Sequence, residues 1–386
     1  MGNGTCTRRA QSCATDAREA AREFHAGVTQ PDMALVMFFC SSEYELDALA
    51  EEMGRLFAGV QVIGCTTAGE IGPSGCRDHS ISGASFSADS FAAASGLIDH
   101  LQQFQAARGQ SLVQDLMQRL ESLEAEASAN NSFALLLVDG LSMREEPVTS
   151  ALQNALGEIP LVGGSAGDGL EFQKTHVYVE GAFHEDSAVL TLVTTPLPFR
   201  VFKTQHFVPT DRRLVVTAAD AEQRIVREID GFPAAEEYAK LAGVEVQGLA
   251  PMSFAASPVV VLIDGTNYVR SIQKANSDGS LTFFCAIEEG VVLRVGRGAD
   301  LEENLEQVFA GIRDEIGPPE LVLGCDCILR KLEIQQRGLV ERVETTFRDN
   351  NVVGFDTYGE QYHGVHVNQT LTGIAIGQAP TEIIDG

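Results

Sequence analysis

Two stretches of the chain place a threonine, a glycine and a glutamate at one fixed spacing. Val62-Ile63-Gly64-Cys65-Thr66-Thr67-Ala68-Gly69-Glu70 returns as Val352-Val353-Gly354-Phe355-Asp356-Thr357-Tyr358-Gly359-Glu360, sharing the frame Val-aliphatic-Gly-x-x-Thr-x-Gly-Glu. A shortened relative, Leu161-Val162-Gly163-Gly164-Ser165-Ala166-Gly167-Asp168, stands between them. A glycine turn lets the backbone bend sharply or approach a ligand, and a carboxylate at its rim can contact that ligand. Gly69, Glu70, Gly167, Asp168 and Glu360 are therefore candidate ligand-binding residues, although the acids could equally accept bonds from the turns' own amides. The run Gly163-Gly164-Ser165-Ala166-Gly167 also satisfies G-x-S-x-G, the nucleophile elbow of hydrolases. A strand precedes it, but the strand-like His176-Val177-Tyr178-Val179 follows where a helix is required, which argues against a catalytic Ser165. Cys325 and Cys327, with His363 and His366, offer two sulfurs and two imidazoles to zinc. Residues three apart on a strand face opposite sides, so the two histidines cannot easily share a metal.

These residues need elements to hold them. Each motif has an aliphatic strand upstream, at 34–40, 134–138 and 321–325, and a helical segment between strand and motif. One unit of strand, helix, strand and glycine turn thus occurs three times. Helices are expected at 16–25, 42–56, 111–129, 145–156, 234–242, 301–316 and 329–347 from apolar residues at helical spacing. Short strands at 176–180 and 187–194 read as a pair joined around Gly181. In the second half, strands at 258–263, 267–273 and 281–287 are separated by Asp264-Gly265 and Asp278-Gly279, both hairpin signals. Strands alternating with helices define a mixed α/β class with two domains, 16–198 and 230–380, separated by an extended linker at 199–229.

Composition narrows the function. At 386 residues the chain exceeds one ordinary core. Lys+Arg 27 against Asp+Glu 54 gives a net charge of −27, which repels phosphate backbones and anionic lipid. No nucleic-acid or membrane partner is expected, and no apolar run approaches the ~20 residues that span a bilayer. Nothing at the N-terminus reads as a secretory signal. The cytoplasm is the expected compartment, with the eight cysteines reduced and no CxxC pair among them. A homo-oligomer is compatible with the composition.

The motifs, taken together and in order, resemble the FIST sensory family, with its N-terminal and C-terminal domains. The resemblance covers most of the chain. Besides the turns above it includes Asp278-Gly-Ser-Leu281, Glu289-Gly290, Cys327-Ile-Leu-Arg330 and Asn368-Gln-Thr-Leu371. It implies a ligand-sensing protein of bacterial signalling, and its stand-alone architecture is similar to a haem-binding subset that senses nitric oxide and regulates histidine kinases. On that resemblance, haem b is the expected cofactor and nitric oxide and a histidine kinase the expected partners. His184, in Gly181-Ala-Phe-His-Glu-Asp186 ahead of an aliphatic strand, is the candidate ligand to the haem iron, with Glu185 or Asp186 accepting its other N–H. No CxxCH is present, so c-type haem is excluded. The alternative is a haem-free module for a small metabolite such as an amino acid, with Arg330 and Tyr358, both in family motifs, beside the glycine turns. A serine hydrolase at Ser165 ranks third, and no catalytic residue is expected.

Overall fold

The computed structural model describes residues 5–263 and 265–379. Asp264, expected in a hairpin turn, and Pro380, at the expected end of the second domain, lie outside the described residues.

The three sequence motifs belong to three copies of one topological unit. Each copy runs edge strand, helix, strand, helix, strand, hairpin, closing strand. In the first unit these are Thr7–Ser12, Ala17–Val28, Met33–Ser41, Leu46–Leu56, Val62–Thr67, the hairpin Glu70–Gly72 with Gly75–Arg77, and Ile81–Ser87. The second unit uses Ala92–Ile98, Ala106–Ser122, Ser132–Val138, Glu145–Leu156, Leu161–Ser165, the hairpin Val177–Val179 with Ala182–His184, and Ala188–Thr194. The third uses Phe199–Thr204, Leu301–Ile316, Leu321–Cys327, then two short helices Ile328–Gln336 and Val340–Asp349, then Val352–Thr357, the hairpin Glu360–Tyr362 with Val365–Val367, and Leu371–Ile376. The two strands flanking the second helical segment pair in parallel in every unit, and the closing strand lies antiparallel between the first of them and the edge strand.

Each hairpin leaves its own sheet. The hairpin of the first unit adds to the third sheet, that of the second to the first, and that of the third to the second. Three six-stranded sheets are thereby locked in a cycle. Their inner faces share one core, in which Phe39 stacks on Phe355 at 4.5 Å. Helices cover each outer face with a separate cluster. This explains the continuous aliphatic runs: central strands buried on both faces have no polar side to alternate with. Helix starts follow ordinary capping, as where Asp16 accepts from Glu19 N and Asp300 from Glu302 N, both at 2.9 Å.

The expected pairing of 176–180 with 187–194 is corrected by this exchange. Val177–Val179 pairs with Ala182–His184, while Ala188–Thr194 belongs to the sheet of its own unit. Nor is 199–229 a linker. Phe199–Thr204 is the edge strand of the third sheet, and Phe207–Asp220 and Ile225–Ile229 enter an eight-stranded antiparallel sheet. That sheet and the helices Ala234–Ala242 and Pro251–Ala256 form a domain, residues 207–298, inserted between the edge strand and first helix of the third unit, around its own core.

Candidate functional site

The three strand-ending turns meet head to tail. Ala68 N donates to Asp356 O at 2.9 Å, Tyr358 N to Ser165 O at 3.3 Å, and Gly167 N to Thr66 O at 3.0 Å. The first turn donates to the third, the third to the second, and the second to the first, the pattern of a pseudo-three-fold axis. The approach is close enough that a Cβ on Gly167 would stand 2.8 Å from Ala68 N.

Glu70 and Glu360 are fully buried beside this junction and so are not rim groups. Thr67 Oγ1 donates to Glu70 and Ser80 Oγ to its other oxygen at 2.8 Å; Thr357 Oγ1 donates to Glu360 and Thr370 Oγ1 to its other oxygen at 2.7 Å. The spacing is the same in both units: a hydroxyl three residues before the glutamate and one ten residues after. Burial pushes both carboxyls up to about 8, so each stands protonated at neutral pH and can return a hydrogen bond to one hydroxyl.

The second unit departs from this pattern. Glu70 pairs across the sheet with Phe355 and Glu360 with Gly164, and the residue at that register in the second hairpin is Val177, opposite Cys65. Asp168 lies in extra chain ahead of the hairpin. Its carboxylate accepts Phe172 N at 2.9 Å, Gln173 N at 2.7 Å and Lys174 N at 2.8 Å, and the Tyr358 hydroxyl donates to it. Asp168 therefore shapes the loop 168–174 instead of offering a free charge to a ligand. Asp139, at the end of the preceding strand, takes Thr175 Oγ1 and Asp186 N, fixing the far end of the loop.

The third unit carries the charges. Asp326 and Asp356 sit opposite one another on its parallel strands, where the first unit has Cys40 and Thr66 and the second Val138 and Ser165. Burial pushes both carboxyls up, that of Asp356 to about 7. Arg330 Nε donates to Asp326 at 2.6 Å, and Lys331 Nζ lies 3.3 Å from Asp356 and 2.6 Å from Ala68 O. A Cβ on Gly69, at φ +144°, would overlap both Lys331 Nζ and Asp356. That glycine serves an internal ion pair. Arg330 is wholly buried, and its Nη1 donates to His206 Nδ1 at 3.3 Å, while His206 Nε2 donates to Glu333 at 2.9 Å. Burial lowers the His206 pKa, in keeping with a neutral ring that accepts at one nitrogen and donates at the other. Arg330 thus pairs with Asp326, not with Glu333 or a surface acid, and reaches no ligand cavity described below.

A cavity of about 570 Å³ opens between the second unit and the inserted domain. Phe172 of the 168–174 loop and Phe284 of the insertion wall it, and Tyr358 backs them, 4.7 Å from Phe172 and 6.3 Å from Phe284. Tyr358, a family-motif residue, thus supports this cavity from behind its walls. Arg224 also lines it, and ties the insertion to the second unit through Glu145 and Glu146, its Nη2 lying 2.5 Å from a carboxylate oxygen of each. Arg224 Nη1 further donates to Phe284 O at 2.7 Å and Ala286 N to Glu146 at 2.8 Å. Asp168 borders a second cavity of about 280 Å³ with Thr67 and Lys331.

The remaining candidates fall elsewhere. His184 is half-buried at the end of its hairpin, and its Nε2 is buried without a hydrogen-bond partner. Glu185, expected beside it, instead faces His176 Nε2 at 3.2 Å, and the Asp186 carboxylate accepts from Gln102 N. Ser165 is fully buried, accepts from Gln361 Nε2 at 3.0 Å, and has no helix after it. Among the described residues no group of three or more His, Cys, Asp or Glu could hold a metal ion. Cys325 packs into the shared core and Cys327 into a separate cluster, while His366 contacts Phe284 O. No helix among the described residues is long and apolar enough to cross a membrane.

Sequence reading missed Phe172, Phe284, Arg224 and the Glu145-Glu146 pair, because the cavity joins segments far apart in the chain. Lys331 had a local signal: Arg330 and Lys331 follow Asp326 by four and five residues at a helix start.

This architecture is that of the FIST family. The FIST N domain matches residues 34–232 and the FIST C domain residues 234–363, and the chain belongs to this family, whose domains are sensory domains of signal transduction. An uncharacterized protein of Methanocaldococcus jannaschii is 23% identical over 256 residues, 56% of this chain and 48% of its own length, so the chain spans about half of that relative. A crystal structure of chorismatase aligns over 96% of this chain and 98% of its own, at TM-score 0.36 and 8% identity, too distant for any argument to rest on it.

Proposed function

We propose that this protein senses a small organic molecule in the cavity between its second unit and its inserted domain, and that occupancy is relayed to a partner histidine kinase. The observation that carries the reading is the wall itself. One side, Phe172, hangs on the turn junction through Tyr358, and the other, Phe284, belongs to a separate domain. A cavity of this size between two domains suits a metabolite-sized ligand. A ligand touching both sides favours one arrangement of the two bodies, and such differential affinity is what a sensor requires. The test is a thermal-shift screen of metabolites against wild type and Ala250→Trp, which places an indole in the cavity from an exposed lining position. Compounds that raise Tm in wild type and not in the variant support the site. Equal shifts in both proteins would sink it.

Haem b on His184, with nitric oxide as the signal, is a second reading, favoured by the buried and unpartnered Nε2. His184 lines neither of the two cavities described above, so neither offers its ring a haem pocket. The visible spectrum after haemin reconstitution decides: a Soret band lost in His184→Ala and kept in His176→Ala and His206→Ala would restore this reading over the first.

A further inference from the structure

We infer that the cavity beside Phe172 and Phe284 takes a small organic anion with an apolar body, an inference that rests on reading this cavity as the input site. The chain has 54 acidic residues and 27 lysines and arginines, yet no Asp or Glu lines this cavity, whose charged lining residues are Arg224 and Lys274. The Arg224 guanidinium is held by Glu145 and Glu146. Lys274 has no acid partner among the described residues. It stands on the strand Ile272–Ala275, opposite Thr282, which also lines the cavity. The rest of the wall is mostly apolar, with Phe172, Phe254 and Phe284 supplying aromatic surface.

These features select among ligand charges. A protein of net charge −27 repels anions in general, so an anion is retained only where a cation is built in for it. Lys274 supplies that cation, and a carboxylate beside it makes a charge-assisted hydrogen bond. A free amino acid also carries an ammonium group, which Arg224 and Lys274 repel and which only a lining carboxylate would neutralise. The lining offers none. The geometry therefore points away from the amino-acid alternative and toward an apolar carboxylate.

The test is isothermal titration of wild type and Lys274→Gln with phenylacetate, phenylacetamide and phenethylamine. These three probes share one ring and differ in charge. We expect phenylacetate to bind at least about tenfold more tightly than the amide, the effect of one charge-assisted hydrogen bond, and the amine to bind most weakly. Lys274→Gln should bring phenylacetate to the level of the amide, and Lys274→Arg should keep the preference. Because Lys274 is exposed, both variants should fold. Amide or amine binding as tightly as the acid, acid preference surviving in Lys274→Gln, or no binding of any probe overturns the anion assignment. Failure of the cavity itself is read separately: phenylacetate binding unchanged in Ala250→Trp places the ligand elsewhere.

Discussion

The first and third units end their second strands alike, and the second unit does not. Glu70 follows Cys65 and Glu360 follows Phe355 by five positions, and Val177 follows Gly164 by thirteen at the same sheet register. The first and third turns close on a buried carboxyl held by two hydroxyls. The second has eight more residues, a valine in place of the glutamate, and an aspartate that folds the added loop over a cavity. Repetition builds the scaffold, and the place where it lapses faces the inserted domain. A buried acid-hydroxyl closure is a self-contained solution that leaves no group free, so a site that must meet an outside molecule needs a different loop.

If the second unit is the docking face, the largest effect should come from Arg224→Ala. Arg224 is 5% exposed and Glu145 1% exposed, so the variant leaves a buried carboxylate without its cation. Breaking a buried pair in this way costs about 3–5 kcal/mol. Urea denaturation should show that loss, with the insertion melting before the three-sheet core. A loss below about 1 kcal/mol would mean that the insertion does not depend on this contact, and the contrast between the units would lose its meaning.

The closures of the first and third units give a pH test. The Glu360 carboxyl, ordinarily near 4.5, is raised to about 8 by burial. A raised folded-state pKa contributes stability that is fully present below the unfolded value and is lost as pH rises through the folded value. Wild type should therefore weaken from about pH 4.5 to about pH 8. Glu360→Gln copies the protonated carboxyl and should remove its share of that slope, leaving the variant equal to wild type near pH 4 and more stable above pH 8 by roughly 1.4 kcal/mol for each unit of the shift. Glu70→Gln should behave the same way. Opposite behaviour in the two variants would show that the units are not equivalent.

Much of this was legible in the chain because it is local. The aliphatic strands, the helix stripes and the Val-aliphatic-Gly-x-x-Thr-x-Gly-Glu repeat depend on neighbours within a unit, and the two full motifs do occupy equivalent ends of related sheets. The hairpin exchange was not legible. Val177–Val179 looks the same whether it pairs at home or with Cys65 of another sheet, since strand pattern records burial and not partner. The acids misled for a related reason. An isolated Glu70 or Glu360 reads as a charge, and only burial beside two hydroxyls makes it a neutral donor. The insertion hides the third unit because Phe199–Thr204, six residues, is all of that unit's own strands that precedes it in the chain.

Tyr358→Phe should have the smallest effect on stability and the most local one. Tyr358 occupies the third-unit position that Ala68 holds in the first, and its hydroxyl reaches across to the second-unit loop. There it receives Asp168 N at 3.1 Å and donates to the Asp168 carboxylate. Phenylalanine keeps the ring against Phe172 and removes both bonds. Asp168 would still accept from Phe172 N, Gln173 N and Lys174 N, so the loop should persist with one anchor fewer. The expected loss is about 1 kcal/mol, that of a net hydrogen bond. Hydrogen exchange gives the sharper readout, because local opening reports where the stability was lost. The amides of Phe172, Gln173 and Lys174 should exchange faster, while that of Gly69, held by Thr67 in the unaltered first turn, should not change. Equal acceleration at Gly69 would mean that the three turns open as one body. The second-unit loop would then have no independence from the scaffold, and ligand binding at Phe172 would have to be felt around the whole axis.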